Sequence, residues 1–294
     1  MLLRSFATAL FLVSCFVSSA IAQEWRPVGG SRQSNISGMA VIGQAKQTTT
    51  LLVVHDNKKA EQMHATLISI TGSDSPLYTP LKWTNDVALD IEAVTSVPGV
   101  SGQFIAFTAA GRAYHIKIDI KSATVDVIKS FDVPSIPKDA DFEAFDLQKI
   151  NGTLTAVWAE RGSPTKPATI FWSKFDLDEH KFSDVGSATF RVPFPANDVR
   201  HISDLKADTS GAIFVTSASD PGNDGPFSSA FYFAGVLRTD EQKRTTFAQS
   251  SFFTPIFRFA YQKVEAFDFV PGLNGGLIFG TDNENLGSSI FLTF

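Results

Sequence analysis

Three short stretches of the chain repeat one chemical pattern: Asp90-Ile91-Glu92-Ala93-Val94, Asp141-Phe142-Glu143-Ala144-Phe145 and Lys263-Val264-Glu265-Ala266-Phe267. In each, a glutamate stands among apolar residues that open a strand. A carboxylate carried into such a setting is costly unless something pairs with it. Three carboxylates drawn to about 5 Å of one another, at an effective dielectric near 20, would repel by roughly 3 kcal/mol per pair. Protonation, pairing with Lys263, Arg161 or Arg200, or a bound cation relieves that cost. A hard cation that takes several oxygens, Ca²⁺ first, suits Glu92, Glu143 and Glu265, with Asp56 and Asp282 as further ligands. The alternative is structural: the same glutamates cap backbone amides or pair with basic groups and bind nothing. Zinc suits the set less, because the five histidines show no paired spacing and the single cysteine is Cys15, near the N-terminus.

Other groups could join such a site. His55 and His201 each border a strand at the same end of the pattern, where a general base or a phosphate ligand would sit. Arg161, Arg200, Lys58 and Lys59 could clamp an anionic group such as phosphate, or could simply neutralise the nearby acids. The run Phe252-Phe253-Thr254-Pro255-Ile256-Phe257-Arg258-Phe259 reads as packing between sheets rather than as a pocket lining. Nucleophile-elbow, zincin, P-loop and dinucleotide fingerprints are all missing from the sequence.

The elements that must position these residues are strands. Short apolar runs broken by Gly, Pro, Asn and Asp recur along the chain, and no stretch sustains a helical apolar stripe. Aligned on the acidic pattern, the copies recur every ~50–60 residues and each contains up to four strands. The fifth copy ends after three strands, while Glu24-Trp25-Arg26-Pro27-Val28 is a strand-like piece left over at the other end. Joining the two closes a ring. The expectation is therefore an all-β, five-bladed β-propeller spanning 23–294 and closed by the N-terminal strand. Six blades, or a sandwich with extra strands, are the alternatives. In a propeller the start of each first strand faces the central channel, so the glutamates converge at its mouth.

The first 22 residues read as a signal peptide: Arg4, then an apolar stretch, then the small-x-small pattern Ala20-Ile21-Ala22. The protein is thus expected to be periplasmic or secreted. A lipoprotein anchored through Cys15 is the minor alternative, with apolar rather than polar residues following that cysteine. The apolar stretch is too short to span a bilayer comfortably, and the sequence offers no other candidate span. The chain carries 30 acidic and 25 basic residues with no basic run, which speaks against nucleic acid as a partner. A small phosphorylated or otherwise anionic ligand is the partner the basic residues near the pattern suggest; oligomeric state is not legible.

Several of these motifs together invite a family comparison. Ser37-Gly38-Met39, Val53-Val54-His55-Asp56-Asn57, the two Asp-x-Glu-Ala openings, Trp158-Ala159-Glu160-Arg161-Gly162, Val264-Glu265-Ala266 and Gly280-Thr281-Asp282-Asn283 resemble the esterase-like phytase group of exported β-propellers. The resemblance implies a Ca²⁺-dependent propeller that hydrolyses phosphoesters. The chain departs from that group in having Ala where Gly is usual after Glu, and Ser203-Asp204 in place of Glu-Gly. Two functions follow: a metal-dependent phosphoesterase working at the channel mouth, or a non-catalytic propeller that binds a ligand or protein there.

Overall fold

The computed structural model describes residues 24–134, 136–242, 244–272 and 275–293; the expected signal peptide and Cys15 lie outside them. Five antiparallel sheets follow one another along the chain. Blade one runs Gly38–Ala45, Thr48–Val54, Ala65–Thr71, Leu77–Pro80. Blade two starts at Ile91–Ser96, blade three at Phe142–Ile150, blade four at Val199–Ala207 and blade five at Val264–Val270. Each first strand packs against the first strands of the neighbouring blades, and Gly38–Ala45 meets Val264–Val270 to complete the circle. The strand Arg26–Gly29 pairs with Ser288–Leu292 as the outermost strand of blade five. The five-bladed propeller and its closure by the N-terminal strand are thus as the repeats imply.

Two blades depart from the simple count. Lys82–Trp83, which follows the fourth strand of blade one, pairs in parallel with Thr124–Asp132 of blade two. In blade four the third strand, Ser228–Thr239, is long enough to hold two outer strands. Thr245–Gln249 pairs with one half and Phe257–Ala260 with the other. The second of these comes from the Phe-rich run, and Phe259 is buried among Phe231, Phe267 and Phe279. Packing is what Phe253, Phe257 and Phe259 do, whereas Phe252 is 84% and Ile256 51% exposed.

Interlocking apolar faces supply the core, with clusters that each draw from two neighbouring blades. Near the axis the fit leaves no space for a side chain on Gly38: a Cβ there would lie 2.7 Å from Ala93 Cα. Aspartates bind the blades to one another below the mouth, Asp146 and Asp204 buried and Asp268 half-buried. Asp146 of blade three accepts from Ala207 N of blade four at 2.8 Å, and Asp204 of blade four from Phe267 N of blade five at 2.9 Å. Asp268 of blade five accepts from Val41 N of blade one at 2.7 Å and from Phe269 N at 2.7 Å. Each carboxylate satisfies amides that would otherwise be buried without a partner. Asp268→Ala orphans both amides and should cost about 2–3 kcal/mol, read as a lowered Tm; Asp268→Asn, which keeps one acceptor, should cost less. Equal Tm values for both variants and the parent would remove Asp268 from the closure.

Candidate active site at the channel mouth

The three repeated glutamates share a backbone device. In blade two, Ile91 pairs with Thr108 and Ala93 with Phe107, which leaves Glu92 as the extra residue of a β-bulge. Glu143 is bulged in the same way between Phe142 and Ala144, and Glu265 between Val264 and Ala266. A bulge takes a residue out of the ladder and re-aims its side chain. Here all three side chains line one cavity of ≈ 230 Å³ at the axis. The alanine after each glutamate is fully buried in the packing between blades. Blade four holds a larger irregularity between Arg200 and Asp204 and contributes an arginine instead of a glutamate.

The cavity wall gathers eight carboxyl groups (Asp56, Asp90, Glu92, Asp141, Glu143, Glu265, Asp282 and Glu284) and five cations (Arg32, Lys58, Arg161, Arg200 and Lys263). Arg200 is the hub. Its Nη1 lies 2.9 Å from Glu265 and 3.6 Å from Glu143, while Nη2 and Nε hold Asp220. Lys263, 1% exposed, reaches Glu284 at 2.7 Å, Glu265 at 3.2 Å and Asp282 at 3.6 Å. Arg161 bridges Asp141 at 2.5 Å and Glu143 at 3.3 Å. Burial works against the charge of Arg200 and Lys263, but their acidic neighbours outweigh it and hold both firmly protonated.

Glu92 and Asp56 stand apart: neither carboxyl has a hydrogen-bond or ion-pair partner among the described residues. Burial first, then Glu143, Asp56 and Glu265, push the Glu92 pKa well above the usual carboxylate range. Asp56 is raised by burial and by Glu265. Asp282 is raised strongly by burial and Glu265, with Lys263 pulling the other way. Glu143 is pushed up to about 7 by burial, against the pull of Arg200. Burial and mutual repulsion thus hold several carboxyl groups at the mouth toward their protonated forms.

Seven of the nine expected site residues meet at this cavity: Glu92, Glu143, Glu265, Asp56, Asp282, Arg161 and Arg200. The two histidines do not line it. His55 is fully buried, its ring nitrogens engaged by Asn35 O at 2.6 Å and Thr66 Oγ1 at 2.8 Å. Burial lowers its pKa to about 4, far from what a base at neutral pH needs. His201 turns toward Arg191 and Val192 N in the packing beside blade three. Lys58 lines the cavity and pairs with Asp90, whereas Lys59 lies beyond it. Arg32, which binds Glu284 at 2.8 Å, had no signal because it precedes the first repeat. Among the described residues no three Asp, Glu, His or Cys side chains form a ready metal cage. Arg200 and Lys263 stand between the carboxylates instead.

No family model and no curated protein matches the chain. Among solved structures it is similar to a thermostable family-43 glycoside hydrolase, with 9% identity over 88% of both chains and a TM-score of 0.48. It is also similar to the GH32 β-fructofuranosidase of Bombyx mori, with 11% identity over 93% of this chain and 62% of that one, TM-score 0.49. A mutant of that enzyme in complex with sucrose gives 12% identity over 88% and 60%, TM-score 0.48. The chain thus spans about three fifths of the Bombyx mori protein's length. The likeness to the phytase group is carried by the short motifs alone.

The carboxyl groups make stability depend on pH with a definite sign. A folded-state pKa raised above the unfolded value means that the folded chain holds more protons between the two, so stability falls as pH rises through that interval. Below about 6.5 the histidines, lowered by burial, act in the opposite sense. Well above it they are neutral in both states and the carboxyls act alone: Glu143 and Asp204, pushed up to about 7, and Glu92 and Asp282, raised well above the usual carboxylate range. Tm should therefore fall from pH 7 to pH 8.5, and fall less in Glu92→Gln. Parallel Tm curves for the two proteins would contradict the burial of Glu92 among like charges.

Proposed function

We propose that the channel mouth is the active site of a hydrolase that works by carboxyl acid–base catalysis on a small polar substrate. One observation carries this: Glu92 has no partner among the described residues, faces the cavity and is held toward its protonated form by burial and by Glu143. A carboxylic acid in that state is suited to protonate a leaving oxygen. Glu265, ion-paired to Arg200 and Lys263, is the nearby candidate to take a proton from the attacking water. Paired carboxyl groups kept in different protonation states are the means by which C–O bonds of glycosides and related compounds are hydrolysed. Arg161, anchored by Asp141 and Glu143, would steady developing negative charge.

A phosphoester substrate is the second reading, and the free state of Asp56 and Glu92 favours it. These hard oxygen donors suit a divalent cation such as Ca²⁺, which when bound would neutralise part of the acidic wall and polarise a phosphoryl oxygen. Without such a cation the wall repels a phosphate dianion, because Arg161, Arg200 and Lys263 are already paired with acids.

Turnover on uncharged glycosides, carboxylic esters, lactones, phosphomonoesters and inositol phosphates, each with and without chelator, separates the two. Glu92→Gln should lower kcat on the active substrate by about 10²–10⁴ while the protein stays folded. For the phosphoester reading, chelation should abolish activity and added Ca²⁺ restore it. Turnover unaffected by Glu92→Gln would rule out Glu92 as the acid, and a chain inactive on every class would leave a binding propeller.

A further inference from the structure

A second cavity, of ≈ 390 Å³, opens beside the first and shares Arg32, Asp56 and Lys58 with it. Its electrostatic character is reversed. Arg32, Lys58 and Lys59 face a single acid, Asp56, whereas the axial cavity has acids in excess. Arg32 and Lys58 are each engaged on one side, by Glu284 and Asp90. Lys59 has no acidic partner among the described residues.

The loop that presents the lysines is braced rather than loose. Asn57, 8% exposed, donates through Nδ2 to Gln33 O at 2.9 Å and to Met63 O at 2.6 Å. Gln62 closes the turn from both sides: Lys59 N donates to Gln62 Oε1 and Gln62 N to Lys59 O, each at 2.9 Å. His64 Nε2 lies 3.0 Å from Lys59 O. The backbone between His55 and His64 is thus fixed at several points, and the ammonium groups extend from a preorganised base. Solvated lysines on an open surface need no such bracing and no concavity beneath them.

We propose that this cavity is the seat for an anionic substituent, a carboxylate or a phosphate, on the substrate whose bond is broken at the axial carboxyl groups. It rests on the hydrolase reading for the second half of that statement only. Lys58 and Lys59 would hold the anion from above and Arg32 from the side, with charge-assisted hydrogen bonds. Asp56, on the boundary, would turn away an anion that slid toward the axis. The substrate class is then a polar molecule with negative charge at one end and a neutral scissile bond at the other, which reconciles basic groups beside the site with acids within it.

Calorimetric titration of the whole protein with inorganic phosphate, D-glucuronate and D-glucose tests this. Phosphate or glucuronate should bind where glucose does not, and the affinity should fall with added salt. The double variant Lys58→Gln/Lys59→Gln should weaken the binding roughly tenfold or more with Tm unchanged, since both side chains are exposed. Binding of phosphate only, or of glucuronate only, identifies which anion the seat takes. Glu92→Gln should leave anion binding intact while abolishing turnover; if the parent protein turns over none of the substrate classes, the hydrolase reading fails and the anion seat stands. No binding of either anion, or equal binding by the double variant, overturns the proposal.

Discussion

The structure depends on keeping like charges together at the end of a narrow channel. Five blades bring acids that are far apart in sequence to one axis, and apolar packing leaves little water to screen them. Two long cations answer the repulsion. Arg200, from the blade that lacks the glutamate, spans Glu143 and Glu265. Lys263 is buried among Glu265, Asp282 and Glu284. A buried charge network of this kind is seldom the most stable filling for such a space. It leaves Glu92 uncompensated, because the cations are placed next to other acids.

The same functional group, a carboxyl, serves two levels of the channel in different ways. Asp204 and Asp268 point into the ladder edges of the next blade, each accepting from two backbone amides, and so hold neighbours in register. Glu92 is lifted out of the ladder by a bulge and accepts no hydrogen bond among the described residues. Burial raises the pKa of both kinds, so titration alone would not tell staple from site. The partners do. Each of these aspartates ends on two backbone amides, whereas the Glu92 carboxyl ends on a cavity with no partner among the described residues.

What could be read from the sequence was the repeat, and what could not was direction. The Asp-x-Glu-Ala openings and the unpaired strand-like ends were enough for five blades and their closure, because both follow from local pattern and from the need to leave no open edge. They also placed Glu92, Glu143 and Glu265 on one axis. The bulges were not visible, since a bulge is a matter of pairing with another strand. His55 was misleading for a related reason: its position after a strand suggested the mouth, but Asn35 O and Thr66 draw the ring inward. The aspartate staples left a faint trace in Glu-Ala-Phe-Asp of blades three and five. Lys206 occupies the matching place in blade four, and the change of sign hid the series.

That lysine also ties together blades that do not touch as neighbours. Lys206 is 3% exposed and its Nζ donates to Val94 O of blade two at 2.8 Å. Blades two and four are not neighbours in a ring of five, so the side chain crosses the axis. Burial opposes its charge, but Asp204 and Asp146 outweigh that opposition and raise its pKa. Its protonated side chain lines a lower polar pocket together with Asp146 and Asp268, and none of the residues lining that pocket lines the axial cavity above. The two polar ends of the axis are thus built from different residues: staples that end on backbone amides below, and carboxyl groups that end on a cavity above.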